Sequence, residues 1–183
     1  QLATPFVQNS VNMTNIFATA TDAEGNISTC TFMVMYAYST AKAPIPVFVN
    51  TYPASPSRYT ASPTIFATAP NIVSKIYLYS DNICSSLYGV APRNVMTTQG
   101  LTVNLQTNKT TNIYAKSLDL FGNESDCILL TSFTHDNILP LAPSFISTTP
   151  LSPNNQSINP VLKGQVTTSI VGKPLVTNKI YLY

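Results

Sequence analysis

The sequence contains very little charge. Only 9% of its 183 residues are Asp, Glu, Lys or Arg, whereas an ordinary soluble domain has about 25%. The formal net charge is +2 and the nine basic residues are scattered, so no stripe of Lys and Arg could follow a phosphate backbone. We therefore expect no nucleic-acid partner. Thr, Ser and Asn must supply the surface polarity instead, and such residues suit the half-exposed strands of β-rich extracellular proteins.

Residues that carry catalysis are also scarce. His135 is the only histidine, and the seven acidic residues are dispersed along the chain. The sequence has no serine-nucleophile motif, no histidine pair and no glycine-rich phosphate loop. We therefore predict that the chain is not an enzyme and uses no cofactor, and we interpret His135 as a polar residue that faces the following linker.

Long hydrophobic runs are missing as well. No apolar run approaches the roughly 18 to 20 residues that a membrane-spanning helix needs, so we expect no membrane span in this segment. The chain opens on QLATPFVQ, which lacks the basic and apolar regions of a signal peptide. If the protein is secreted, its signal was removed or lies upstream of this piece.

The strongest positive feature is an internal repeat. Thr14–Cys30 reads TNIFATATDAEGNISTC, and Thr111–Cys127 reads TNIYAKSLDLFGNESDC. The offset is 97 positions, the difference between 127 and 30. The same offset aligns the proline-containing segment 51–56 with 148–153. Agreement at one offset over so many positions indicates a tandem array.

A second pair of matching segments fixes the length of the unit. Lys75–Tyr79 and Lys179–Tyr183 both read KIYLY at an offset of 104, so the later copy carries seven additional residues. We divide the chain into the C-terminal part of one repeat (1–43), a complete repeat (44–141) and the N-terminal part of a further repeat (142–183). The partial repeats should expose strand edges and an open core. Either the protein continues at both ends, or neighbouring chains complete the halves, or the division itself is shifted.

The complete repeat has the pattern of a β-sandwich. Short alternating runs separated by turn signals every 8 to 12 residues are typical of this architecture, and none of the runs shows helical periodicity. The predicted strands are Val47–Tyr52, Pro63–Thr68, Ser74–Ser80, Ser85–Val90, Leu101–Gln106, Thr111–Leu118 and Asp126–Phe133.

Alternation within these runs separates a core face from an outer face. The predicted inward residues are Ile16, Ala18, Ile76, Leu78, Ile113 and Ala115. The outer face then carries a tyrosine stripe, which is repeated in the next unit: Tyr77, Tyr79, Tyr114, Tyr181 and Tyr183. Contiguous exposed aromatic residues often mark a contact surface, although a face covered within the same domain would have the same pattern.

A recurring D-x-x-G-N segment predicts a hairpin turn. Asp can cap the turn with its carboxylate, and Gly can take the positive φ that such a loop needs. The turn residues are Asp22, Gly25 and Asn26 in the first copy and Asp119, Gly122 and Asn123 in the second. Glu124 and Asp126 could extend the second turn into a calcium site. The first copy has Ile27 and Thr29 at those positions, so we favour a capped turn without a metal.

Three cysteines occur in the chain. Cys30 and Cys127 are repeat equivalents, and the equivalent of Cys84 would precede residue 1, so each repeat has two cysteines. This number in a Thr- and Asn-rich chain favours disulfides. A bridge from Cys84 to Cys127 within the repeat, a bridge between repeats and free thiols all remain open, because bridging requires Cα atoms within about 7 Å.

The motifs KIYLYSD at 75–81, ATDAEGN at 20–26 and SLDLFGN at 117–123 resemble those of bacterial Ig-like repeats of large surface proteins and adhesins. The resemblance covers essentially the whole chain, and it departs from many such repeats in the cysteines. It implies an all-β fold of tandem Ig-like, fibronectin III-like β-sandwich repeats of about 97 to 104 residues. Fold alone does not specify function.

The resemblance implies a structural repeat of an extracellular or cell-surface fibre, stalk or filament. Its partners would be adjacent repeats or other copies of the same chain. The alternative is an adhesin module that binds a glycan or a host or prey surface protein through the tyrosine stripe. A third hypothesis is an accessory module whose catalytic domain lies elsewhere in the protein.

Overall fold

The computed structural model describes residues 12–166. These residues form an all-β fold of several antiparallel sheets, as predicted. Compact packing divides the chain into one unit up to Asn137 and a second unit from Ile138. The strands of the first unit are β1 (Asn12–Ala18), β2 (Thr31–Tyr38), β3 (Val47–Tyr52), β4 (Thr64–Thr68), β5 (Val73–Tyr79), β6 (Leu87–Pro92), β7 (Leu101–Thr102), β8 (Thr110–Asp119) and β9 (Ile128–Thr134), with one short helix, α1 (Arg93–Thr98). The second unit contains β10 (Ser144–Thr149) and β11 (Val161–Gln165).

The segment from β3 to β9 is a β-sandwich-like body. One sheet has three strands in the order β3-β4-β7, and the other has four in the order β6-β5-β8-β9. Both sheets contribute to a single hydrophobic core, because strands that alternate apolar and polar residues bury only one face. The largest apolar side chains buried in this core are Ile65, Ile76, Leu78, Met96, Ile113 and Phe133.

Alternation in the two central strands is confirmed. Ile113 and Ala115 in β8 have no exposed surface, and neither do Ile76 and Leu78 in β5. β5 and β8 are hydrogen-bonded neighbours, so these four residues meet in the middle of the core. All seven predicted strands of the complete repeat are present, with ends shifted by up to a few residues.

Two local features differ from the sequence prediction. Helix α1 was not predicted, because six residues are too few to display helical periodicity. It is held by buried Met96 and by Thr97 Oγ1, which donates to the Ala67 carbonyl (3.2 Å). The strand predicted at Leu101–Gln106 is also shorter, since β7 ends at Thr102.

The hairpin β1–β2 repeats the geometry of β8–β9. At the offset of 97, the pair Ile16↔Val34 matches Ile113↔Thr131, and both hairpins have a register shift directly after these residues. β10–β11 repeats β3–β4 in the same way, again with the register shift at the equivalent place. Equivalent residues therefore occupy equivalent positions in each pair of hairpins.

Burial differs sharply between the equivalent hairpins. Leu130 in β9 is 8% exposed, whereas its equivalent in β2, Met33, is 62% exposed. Phe133 is 1% exposed and its equivalent, Tyr36, is 46% exposed. Among residues 12–166, β1 and β2 form a two-stranded sheet that no other strand joins, and the face that forms the core in β8–β9 is exposed here. Ala18, which alternation placed inward, is accordingly exposed.

Candidate functional site

A disulfide joins Cys84 to Cys127, with the two Cα atoms 5.8 Å apart. This finding selects the bridge within the repeat from the alternatives left open by the sequence. Cys84 lies in the loop after β5 and is 8% exposed, and Cys127 directly precedes β9. The bridge therefore joins the loop between β5 and β6 to the loop between β8 and β9. Cys30, the equivalent of Cys127, is exposed and free.

Asp81 organises the loop that carries Cys84. Its carboxylate accepts hydrogen bonds from the backbone N–H groups of Ile83 (3.1 Å), Ser85 (3.1 Å) and Ser86 (2.6 Å). Its carbonyl accepts from Cys84 N (3.2 Å), whose φ is +53°. The only sequence signal for this loop is an Asp ahead of a polar turn, a pattern too common to identify the loop. Hydrogen bonds from Ser85 and then Ser86 lower the pKa of Asp81 below its ordinary value of 3.8.

The lowered pKa of Asp81 predicts how this loop responds to acid. A carboxyl whose pKa is lower when folded stabilises the fold fully above its unfolded value, and this contribution is lost as the pH falls through the folded pKa. We therefore expect the Ser86 amide resonance to shift with a midpoint below 3.8 in an NMR titration. Asp81→Asn should abolish that transition. A Ser86 transition at or above 3.8 would contradict the assignment.

The two D-x-x-G-N turns have the same internal geometry. Asp119 Oδ1 accepts from the backbone N–H groups of Phe121 (2.8 Å) and Asn123 (2.8 Å). Asp22 Oδ1 accepts from Glu24 (3.1 Å) and Asn26 (2.7 Å). Gly122 has φ +87° and Gly25 has φ +90°, the left-handed region that glycine adopts without strain.

The acidic residues near the second turn are each engaged by a protein partner. Glu124 accepts from Lys116 Nζ (3.2 Å), and Asp126 pairs with Lys42. Asp119 is committed to the turn amides. Within residues 12–166, no group of three or more His, Cys, Asp and Glu side chains is placed to hold a metal ion.

The outer face of the four-stranded sheet carries a continuous row of large apolar side chains. Leu87 of β6 pairs with Tyr79 of β5, Tyr79 pairs with Tyr114 of β8, and Tyr114 pairs with Leu129 of β9. The row therefore crosses all four strands, and we call it the aromatic row. The Tyr77 ring stacks on Tyr79, with centroids 6.4 Å apart.

The surroundings of the aromatic row are apolar and partly exposed. Leu87 and Leu129 are each 53% exposed, and the tyrosines are half-buried. Burial, and secondarily the nearby negative charge of Glu124, raises the pKa of the Tyr79 hydroxyl. The arrangement offers a flat strip of rings and methyl groups with hydroxyls that can hydrogen-bond.

Sequence reasoning found part of this row. Tyr77, Tyr79 and Tyr114 lie together on the outer face, whereas Leu87 and Leu129 were missed. Each leucine lies directly beside a register shift in its strand, and simple alternation cannot be carried through a shift. Two further predictions fall outside the described residues. They are the tyrosines Tyr181 and Tyr183, and most of the segment between Lys163 and Asn178, where the seven additional residues were predicted.

His135 does not face the linker as interpreted from sequence. It is 3% exposed, and its Nδ1 accepts a hydrogen bond from Asn108 N (3.0 Å). The backbone N–H of His135 donates to the Lys109 carbonyl (3.1 Å). The imidazole therefore accepts from a backbone N–H of the loop before β8, where Asn108 has φ +55°. Its role is to hold that loop in place.

Comparison with known proteins adds no relative. No protein-family model matches the chain, and no curated protein or solved structure matches it significantly. In the part of the chain that the structure describes, no helix has the length and apolar character needed to cross a membrane. The functional interpretation therefore depends on the residues and their geometry.

Proposed function

We propose that this chain is part of a tandem array of Ig-like, fibronectin III-like repeats, and that the array is a structural fibre, stalk or filament outside the cell or at its surface. The observation that carries this proposal is the recurrence of strand register, and of the register shifts, at an offset of 97 residues. Arrays of similar units joined end to end suit a spacer or stalk, because each unit contacts mainly its neighbours.

The open hairpins support the same proposal. Met33 and Tyr36 occupy positions that are core positions in the complete repeat, yet they are exposed. An exposed apolar sheet face is unfavourable in water, so these hairpins fit a second sheet. Adjacent repeats or other copies of the chain would supply it. The disulfide favours an oxidising, extracellular environment.

The proposal is tested by hydrogen exchange on the monomer fraction, identified by size-exclusion chromatography with light scattering. We expect β8–β9 amides to be strongly protected, and we expect β1–β2 amides to exchange quickly until a neighbouring repeat or a second copy covers them. An oligomer that survives dilution and protects β1–β2 would show that copies complete each other. A monomer in which β1–β2 is as protected as β8–β9 would overturn the proposal.

The aromatic row favours a second candidate function, in which the module is an adhesin. An exposed strip of tyrosine and leucine fits the apolar face of a sugar or the surface of a partner protein. Glycan-array and surface-protein binding would test this candidate with Tyr79→Ser and Tyr114→Ser. Tyr59→Ser is the control, because Tyr59 is 77% exposed and lies outside the four-stranded sheet. Equal binding by all three variants would exclude the aromatic row as the binding site.

A further inference from the structure

The segment that leads into the complete repeat is held against the β8 end of that repeat. Asn123 Nδ2 donates a hydrogen bond to the Ser39 carbonyl (3.1 Å). The N–H of Ala43 donates to the Glu124 carbonyl (3.3 Å), and Ser117 Oγ donates to the Pro44 carbonyl. These three bonds fix both ends of the segment 39–44, which has no regular secondary structure.

Burial shows which of these contacts matter. Ser117 has no exposed surface, Ala43 is 5% exposed and Ser39 is 7% exposed. Polar groups that are buried and then lose their partner carry a large penalty. The ion pair between Lys42 and Asp126 has side chains that are 71% and 67% exposed, so it should contribute little.

The first copy of the turn has only part of this arrangement. Ala20 stands at the position of Ser117, so the hydroxyl donor is missing. Asn26 keeps the amide, and its Nδ2 donates to Asp22 Oδ2 (2.8 Å). Asn123 Nδ2 makes the equivalent bond to Asp119 (3.2 Å) in addition to its bond to Ser39. The Ser39 bond is therefore separable from the bond that stabilises the turn.

We propose that Ser117, Asn123 and the Glu124 carbonyl form a docking surface for the inter-repeat linker, and that this surface sets the stiffness of the joint. We call it the linker clamp. Its partner is an extended segment that offers a carbonyl at each end and a backbone N–H near its C-terminal end. The recurrent D-x-x-G-N turn thus has a second role beyond reversing the chain. The proposal rests on the proposed function only in treating 39–44 as a joint between repeats.

The sequence indicates that joints in the array differ. At the offset of 97, Leu139 and Pro140 take the positions of Lys42 and Ala43. Proline has no N–H, so a bond like that from Ala43 to Glu124 cannot form there. The donor hydroxyl of Ser117 likewise has no counterpart at Ala20. We infer that stiffness is set separately at each joint by these few positions.

Trypsin provides a direct test on the 183-residue chain, because Lys42 lies within the clamped segment. Cleavage between Lys42 and Ala43 requires the segment to leave its site. Loss of a bond worth a typical hydrogen bond should speed cleavage there by about fivefold. We expect this increase for Ser117→Ala and for Asn123→Ala, measured by mass spectrometry of the early fragments.

Two internal controls make the result decisive. Asn26→Ala removes the equivalent turn bond without touching the linker, so it should leave cleavage at Lys42 unchanged. Lys75 lies in central strand β5, and cleavage after it reports unfolding of the sandwich. Unchanged cleavage at Lys42 in both clamp variants would overturn the proposal, and so would equal acceleration by Asn26→Ala. Acceleration at Lys75 that fully matches Lys42 would also overturn it, by assigning the effect to global unfolding. None of these three results depends on whether the array is a stalk.

Discussion

Replacing Cys84 with serine should lower the free energy of unfolding of the complete repeat by about 4 kcal/mol. The bridge spans a sequence separation of 43 residues, and closing a loop of this size restricts the unfolded chain strongly. For a repeat of this length the loss corresponds to a fall in Tm of at least about 15 °C. Thermal and denaturant unfolding followed by circular dichroism would measure it. Cys127→Ser should have the same effect, because either change removes the same bridge.

Cys30→Ser is the matched control for the disulfide variants. Cys30 occupies the same place after the same turn as Cys127, but it is exposed and free. Its replacement should therefore change the stability of the complete repeat by less than about 0.5 kcal/mol. A large effect of Cys30→Ser, or a negligible effect of Cys84→Ser, would show that the bridge is not what stabilises this repeat.

The disulfide also shows where sequence reasoning reaches its limit. The internal repeat predicted two cysteines per repeat, but it did not predict their pairing. The loop that carries Cys84 is shaped by the Asp81 carboxylate and by a positive φ at Cys84 itself. Such geometry depends on a few local hydrogen bonds that leave no periodic signal, so the bridge became clear only in three dimensions.

The strands were more predictable than their connections. Burial alternates without interruption from Ile76 to Tyr79 in β5 and from Ile113 to Asp119 in β8. Alternation is a local property, so Ile76 and Ile113 could be placed in the core from sequence. Helix α1 has six residues, too few for a period, and it was missed. The aromatic row was found only in part, since Leu129 lies beside a register shift that sequence cannot locate.

The burial of a residue in one hairpin did not predict the burial of its equivalent in the other hairpin. The sequences of the two hairpins predicted the same inward face, and their registers match. Yet exposure of that face depends on whether a second sheet is present, which is a property of neighbours and not of the hairpin. Equivalent residues can therefore be used as a built-in pair, with one member inside a core and the other outside.

Phe133→Ala exploits this pair and should destabilise the complete repeat by about 3 to 5 kcal/mol. Phe133 is 1% exposed and belongs to the core, and its removal leaves a cavity that the surrounding β-sheets can fill only partly. Chemical denaturation followed by circular dichroism would measure the loss. A change below about 1 kcal/mol would mean that this part of the core is not tightly packed.

Tyr36→Ala is the informative partner of that variant. Tyr36 has the same position in its hairpin but is 46% exposed, so its replacement in the monomer should cost less than about 1 kcal/mol. If a neighbouring repeat or a second copy completes the hairpin, Tyr36 becomes a core residue and the same change should weaken that association by several kcal/mol. Comparing Tyr36→Ala in the isolated chain and in any assembly therefore measures whether the open face is a docking site for a missing sheet. A substitution that is silent in both would mean that no sheet covers the hairpin, and the array proposal would lose its main energetic support.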